Sequence, residues 1–323
     1  MSFDKILALG QTALELGMVN ALTVLSLFLS YSMLNVCDLS TDGCFTLGAA
    51  VGAVVAISGH PYLSILAAMG AGILSGFITA IIQTKMGVDS LLAGIIVNTA
   101  LYSVNIAIMS GSSILNMNKT DTVFTRFKEL LAGSFLKDQY KLIVILLAVV
   151  LVCIFLILFL KTRLGLAIRA TGNNPAMVKS SSINPVFTTI VGLCVANAFT
   201  GLSGCLMAQA QKSVDINIGT GMVTIALASL LIGRTFFGRR KIPVQIVGAV
   251  IGSFIFRLVY TIALRLNMPA YMLKLVSSVI VILAIFLPYL KSRYPMLKRS
   301  LGIRKGSGRS HGDGTGKGGE SVC

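Results

Sequence analysis

The sequence predicts an all-α polytopic membrane protein of about 8–10 transmembrane helices, one or two of them short or re-entrant. Three observations carry that expectation. Hydrophobic residues make up 55% of the 323 and charged residues only 12%, where a soluble domain carries about 25% charged. Mean hydropathy is +0.87. Finally, the charges collect between long apolar runs and at the C-terminal end, where orientation signals sit.

A bilayer core of about 30 Å needs about 20 helical residues. On that criterion the spans are 14–36, 62–83, 91–109, 142–160, 186–208, 244–264 and 271–290. Two apolar pieces, 45–57 and 222–233, are short for a full crossing; backbone can break or re-enter at membrane depth where protein buries it. The organisation read from this is an N-terminal segment 1–13, a transmembrane unit 14–290 and a basic tail 291–323. The tail holds eight basic residues against Asp313 and Glu320 and turns rich in Gly and Ser after Leu301, a composition expected to be disordered.

Lys161, Arg163, Arg169 and Lys179 in the loop 161–185, Arg234, Arg239, Arg240 and Lys241 in a second loop, and the tail should all face the cytoplasm. The loop 111–141 falls outside by alternation, although it mixes both signs of charge. Nine crossings would put the N-terminus outside and an even number inside; both parities stand open. The formal net charge of +16 invites a nucleic-acid reading, but no basic motif is interleaved with aromatics.

Loop 161–185 carries more structure than a connector needs. Residues 165–170 and 176–182 are expected to form short helices around the turn residues Thr171-Gly172-Asn173-Asn174-Pro175. Such a helical knob on the cytoplasmic side is suited to receive a push from a partner.

Polar residues inside apolar surroundings mark the candidate route. The stretch after the first span sets Asp38, Asp42 and Thr46 between apolar segments and leads into Gly48, Gly52 and Ala56 at intervals of four. Spacing of that kind lets helices approach closely. The aspartates either line a break at membrane depth or belong to an interfacial loop. Asn98 and Asn105 recur at seven residues and share a helix face, as do Asn197 and Thr200; interhelical hydrogen bonding and pathway lining are the two readings. Arg257 lies well inside its span, as a functional group or in a buried ion pair. Glu15 and Lys274 sit near span ends, where snorkelling suffices. A faint internal echo relates Leu74-Ser75-Gly76 and its sequel to Leu202-Ser203-Gly204 and its sequel, which suggests an inverted repeat of the transporter type.

Catalytic and metal chemistry find no support. The six cysteines include no CxxC pair, and His60 and His311 have no sequence neighbours to form a metal site or triad. The Gly-Lys pair within 312–319 fails the phosphate-loop spacing. The chain is expected to be no enzyme, to need no cofactor or metal of its own and to bind no nucleic acid.

Three stretches resemble the branched-chain amino acid and ribose permease family of ATP-binding cassette (ABC) importers, of the type II, vitamin B12 importer-like fold. They are Asp38-Leu-Ser-Thr-Asp-Gly-Cys-Phe-Thr-Leu-Gly-Ala-Ala50, Leu91-Leu-Ala-Gly-Ile-Ile-Val-Asn-Thr-Ala-Leu-Tyr-Ser103, and Gly165-Leu-Ala-Ile-Arg-Ala-Thr-Gly-Asn-Asn-Pro-Ala-Met177 with Ile183-Asn184. Cys44 departs from the pattern where a small residue such as Ser is expected. The nearest likeness is to the subgroup paired with tryptophan- or tyrosine-type binding proteins. The resemblance implies a bacterial plasma-membrane permease with a cytoplasmic C-terminus, importing a small polar solute such as an aromatic or branched-chain amino acid. It implies a second permease copy, an ABC ATPase that holds the ATP and Mg, and an extracytoplasmic binding lipoprotein. It assigns coupling to the ATPase to Arg169, Ala170, Thr171, Gly172, Asn173, Asn174, Pro175 and Lys179. The rival is a secondary transporter driven by an ion gradient, which needs intramembrane acids; only Glu15, Asp38 and Asp42 are at hand. A membrane scaffold without transport would leave the polar breaks unexplained.

Overall fold

The computed structural model describes residues 3–130, 139–238, 241–265, 275, 277–283 and 286. Arg239, Arg240, the tail and most of the expected span 271–290 lie outside the described residues. In order, the elements are α1 (Phe3–Leu27) with a π-helical turn (Phe28–Met33), α2 (Thr41–Ile57), α3 (Pro61–Thr84), α4 (Ser90–Ile108), β1 (Ile114–Asn116) and α5 (Val123–Leu130). There follow α6 (Tyr140–Lys161), α7 (Arg163–Asn173), α8 (Pro175–Ser180), α9 (Pro185–Gln211), β2 (Ser213–Asp215), α10 (Met222–Phe237) and α11 (Ile242–Arg265). Six of the described helices are long and apolar enough to span a membrane, and α2 and α10 are shorter. At 1.5 Å per residue those two are about 26 and 24 Å long.

Local chemistry sets the helix starts. Pro61, Pro175 and Pro185 each occupy a first helical position, where a missing N–H costs nothing. Asp89, Thr162, Asn174 and Asn184 cap α4, α7, α8 and α9 through their side-chain oxygens. The helix of the first span begins at Phe3, so it takes in much of the expected separate N-terminal segment.

Helix directions follow from residue registers. Gly48 meets Gly201 and Gly52 meets Cys205, so α2 and α9 are parallel. Ala68, Gly72 and Gly76 of α3 meet Gly201, Asn197 and Leu193, an antiparallel pairing. Against α1, Thr23 donates to Ser203 at 2.9 Å and Thr200 to Ser26 at 2.8 Å, so α1 and α9 are antiparallel too. Close approach requires the glycines: a β-carbon at Gly48 would overlap the Gly201 carbonyl oxygen, and one at Gly72 the Asn197 carbonyl oxygen. Apolar lipid offers helices little driving force to associate, so backbone-close packing supplies it.

The result is an interlocked inverted arrangement. A long helix, a half-length helix and a second long helix occur twice, as α1–α2–α3 and α9–α10–α11. Both α2 and α3 pack against α9, while α10 and α11 pack against α1. This equates α1 with α9, not α3 with α9 as the sequence echo suggested. The echoed Leu-Ser-Gly triplets belong instead to packing surfaces, Gly76 facing the Leu193 carbonyl and Gly204 the Phe45 carbonyl.

The two ends of the bundle differ. At one, β1 and β2 form a short antiparallel pair, Leu115 opposite Val214, close to the ends of α4 and α9. At the other, α7 and α8 form the knob. Helix α7 continues through Asn173, so the expected five-residue turn contracts to Asn174, which ends α7 and caps α8. Gly172 is a packing glycine and not a turn glycine: a β-carbon there would overlap the Met33 carbonyl oxygen of the π-helical turn.

Candidate functional site

The break between α1 and α2 is built by unusual backbone. After the π-helical turn, Leu34 N–H donates to Leu29 O and Val36 N–H to Ser30 O, and Asn35 adopts φ 57°. The chain then turns back toward the centre of the bundle, and α2 begins beside Asn197, near the middle of α9. π turns of this kind recur at functional sites.

The two aspartates of the break do different things. Asp38 is 1% exposed and accepts from Ser40 N–H at 2.8 Å, Ser40 Oγ at 2.5 Å and Asn197 Nδ2 at 2.8 Å. It ties the break to α9. Asp42, in the first turn of α2, reaches across to α10, accepting from Gly221 N–H at 2.9 Å and Val223 N–H at 2.8 Å. Those are orphan donors of a helix N-terminus, whose partial positive charge favours a carboxylate. The starts of both half-length helices therefore meet at one side chain.

That meeting point opens into a polar cavity of about 380 Å3. Four residues singled out in the sequence line it: Asp42, Thr46, Asn98 and Asn105. Asn105 donates from Nδ2 to the Gly43 carbonyl at 3.2 Å, while its Oδ1 is buried without a partner. The sequence reading missed Thr99, Tyr102 and Ser103 on α4, and Asn217 and Thr220 in the segment entering α10. Tyr102, four residues from Asn98 and three from Asn105, shares the face those two signalled, whereas Thr99 and Ser103 lie to one side of it; all three are exposed. A second cavity of about 420 Å3, between α3, α5, α6 and α9, is walled by side chains such as Met69, Leu151 and Phe155. Its apolar lining gives a polar solute little to hold.

The remaining polar candidates lie elsewhere. Asn197 is fully buried against Asp38, and Thr200 bonds Ser26 in the α1–α9 contact. Arg257 sits on α11 beside Gly17 of α1, its guanidinium 5.0 Å from the Tyr260 ring. No carboxylate pairs with it among the described residues, and its Nε is buried without a partner.

At the knob, Ala170, Asn173, Asn174, Pro175 and Lys179 are exposed, and Arg169 is partly so. Met177 projects with 67% of its surface exposed. Thr171 is buried, with its hydroxyl 2.8 Å from that of Thr188. The knob therefore exposes Met177 near its tip with Lys179 two residues on, and Lys161 and Arg163 are exposed around the start of α7. Its inner face rests on Met33 and Leu34, immediately before the break.

A family model described as "Branched-chain amino acid transport system / permease component" matches residues 11–285. The chain is 34% identical over 268 residues to a tyrosine transport system permease protein of Clostridioides difficile, covering 82% of this chain and 86% of that one. It is 26% identical to the ribose import permease protein of Escherichia coli, over 77% of this chain and 75% of that one. With a guanosine ABC transporter permease protein of Bacillus subtilis it shares 29% identity, over 54% and 57% of the two chains. No solved structure matches significantly.

Proposed function

The chain belongs to the permease family of branched-chain amino acid transport systems, and from that premise we propose that it forms the import route for an amino acid resembling tyrosine. As a multi-pass permease of an ABC system in the cell membrane it works with an ATPase and a substrate-binding protein. The polar cavity at the joint of the two half-length helices carries the proposal. It is large enough for one amino acid, and it lies beside a segment that the knob touches through backbone contact, the π turn and break.

In this reading the knob is the input. ATP closes the partner ATPase dimer and displaces the two knobs of a permease pair, so the bundles rock and the route opens to alternate sides. Docking uses the exposed tip around Asn174, Pro175 and Met177, with Arg169 and Lys179 beside it. Placing the knob in the cytoplasm, the antiparallel register of α1 and α9 supports an N-terminus outside. The basic loop after α10 reads as cytoplasmic, and with α11 and the expected span 271–290 both crossing, the C-terminus is cytoplasmic too. The geometry removes Asp38 from the acids a gradient-driven alternative could use, since Ser40 and Asn197 close it off, and leaves Asp42 on the cavity wall.

The test is uptake of L-tyrosine into proteoliposomes holding the permease, its ATPase and its binding protein. ATP-dependent uptake that is lost in Met177→Asp with Lys179→Glu, while the protein still folds, is the expected result. Uptake driven by an imposed proton or sodium gradient without ATP would overturn the reading.

A further inference from the structure

We propose that the cavity between α2, α4 and the start of α10 is a binding subsite for a primary ammonium group, so that the permease itself selects amine-bearing solutes. The proposal rests on the amino-acid import reading above and deepens it. Its basis is an imbalance between acceptors and donors at one spot.

Asp42 brings a carboxylate to the cavity wall, partly offset by the N-terminus of α10, and among the described residues no Lys or Arg lines that wall. The N–H groups of Gly221 and Val223 take one site on each oxygen and that of Met222 also faces the carboxylate, leaving about one of its four acceptor sites free. Asn105 adds an independent signal. It is 1% exposed, its Nδ2 is committed to Gly43, and its Oδ1 is an acceptor with no donor. A buried acceptor left empty costs free energy, so a ligand that fills it gains correspondingly. An ammonium carries three donors, one positive charge and no acceptor, which matches this pair of groups. A carboxylate offers no donor, and a neutral sugar hydroxyl offers one donor without the charge.

The partial positive charge of a helix N-terminus, about half a unit, offsets only part of the carboxylate's charge. In a site of low effective dielectric a surplus charge acts strongly on what enters. Asp42 thus serves at once as the cap of α10 and as the counter-ion of the solute, and occupancy of the site bears directly on where α10 begins.

The experiment uses the full chain with Ser103→Cys, a position on the exposed side of the cavity. Labelling rates with a trimethylammonium and a sulfonate methanethiosulfonate reagent are measured, each normalised to a free thiol and corrected for the unsubstituted protein. The cationic reagent should be favoured about tenfold, falling to within about twofold when Asp42→Asn is added. Millimolar tyramine and L-tyrosine should slow labelling, and 3-(4-hydroxyphenyl)propionate, which lacks the amine, should not. Adding Asn105→Leu instead should preserve the reagent preference and abolish protection by tyramine. A preference indifferent to Asp42→Asn, or protection by the propionate equal to that by tyramine, overturns the subsite. Neither readout needs ATP, the ATPase or net import, so failure here is separate from failure of the import reading.

Discussion

The two half-length helices occupy equivalent places in the inverted arrangement yet are held differently at their N-terminal ends. Helix α2 is wedged: twelve of its residues are buried, and its glycines press directly on α9. Its N-terminal residue Ser40 gives it no side-chain cap. Helix α10 has seven buried residues, and its N-terminal donors depend on a side chain from the other repeat. Both press glycines on a long helix, α10 through Gly233 against the Gly248 carbonyl of α11, but only α10 has its first N–H groups held by a carboxylate of the other repeat. The difference marks α2 as the frame and the N-terminus of α10 as the part whose hold rests on one side chain.

The strongest way to break that contrast is to spoil the wedge. Gly48→Leu should cost about 3 kcal/mol or more, because the new side chain meets the Gly201 backbone and not a side chain able to move aside. The readout is loss of a monodisperse species in detergent, and a variant with unchanged Tm would refute the wedge. Next in size is the anchor of the break. Asn197→Leu removes a donor from the buried Asp38 carboxylate and should lower stability by about 2–3 kcal/mol. Asp38→Asn in the same chain should recover part of that loss, and strict additivity in the double-mutant cycle would mean the pair is not coupled.

Smaller effects sharpen the comparison. Asp42→Ala should cost only about 1 kcal/mol overall. Its signature is local: hydrogen exchange should accelerate at Gly221 and Val223 while the N–H groups of α2 stay protected. Equal acceleration in both helices would erase the distinction between the two. Smallest of all, Met177→Ala on the exposed knob should change stability by no more than about 0.5 kcal/mol yet reduce the ATPase retained in a pull-down. Undiminished retention would remove Met177 from the docking surface.

Much of this was legible in the sequence because long apolar runs in a membrane protein have few alternatives. The shortness of the runs at 45–57 and 222–233 foretold the half-length helices. Polarity within those runs was a coarser guide. Asn98, Asn105 and Asn197 look alike in sequence, but the first two face a cavity while the third faces Asp38, a partner 159 positions away. Only packing tells them apart. The knob misled in a different manner: Thr171-Gly172-Asn173-Asn174-Pro175 has the composition of a turn, but Gly172 serves contact with Met33 and leaves the helix intact. The β1–β2 pair had no local signature, since two three-residue strands from distant loops meet only because their helices end together.

The interlocking has a further consequence, for synthesis. Helix α2 leaves the ribosome long before α9, yet α9 supplies its packing surface and the amide for Asp38, while Asp42 waits for donors at Gly221 and Val223. Contacts of such sequence separation form slowly. For much of translation Asp38 therefore has only its local Ser40 donors and Asp42 lacks those of α10, beside an unpartnered half-helix that can settle only once the second repeat has been made. Membrane integration of this protein should finish late and all at once, with Asp38 and Asp42 reporting the moment at which it does.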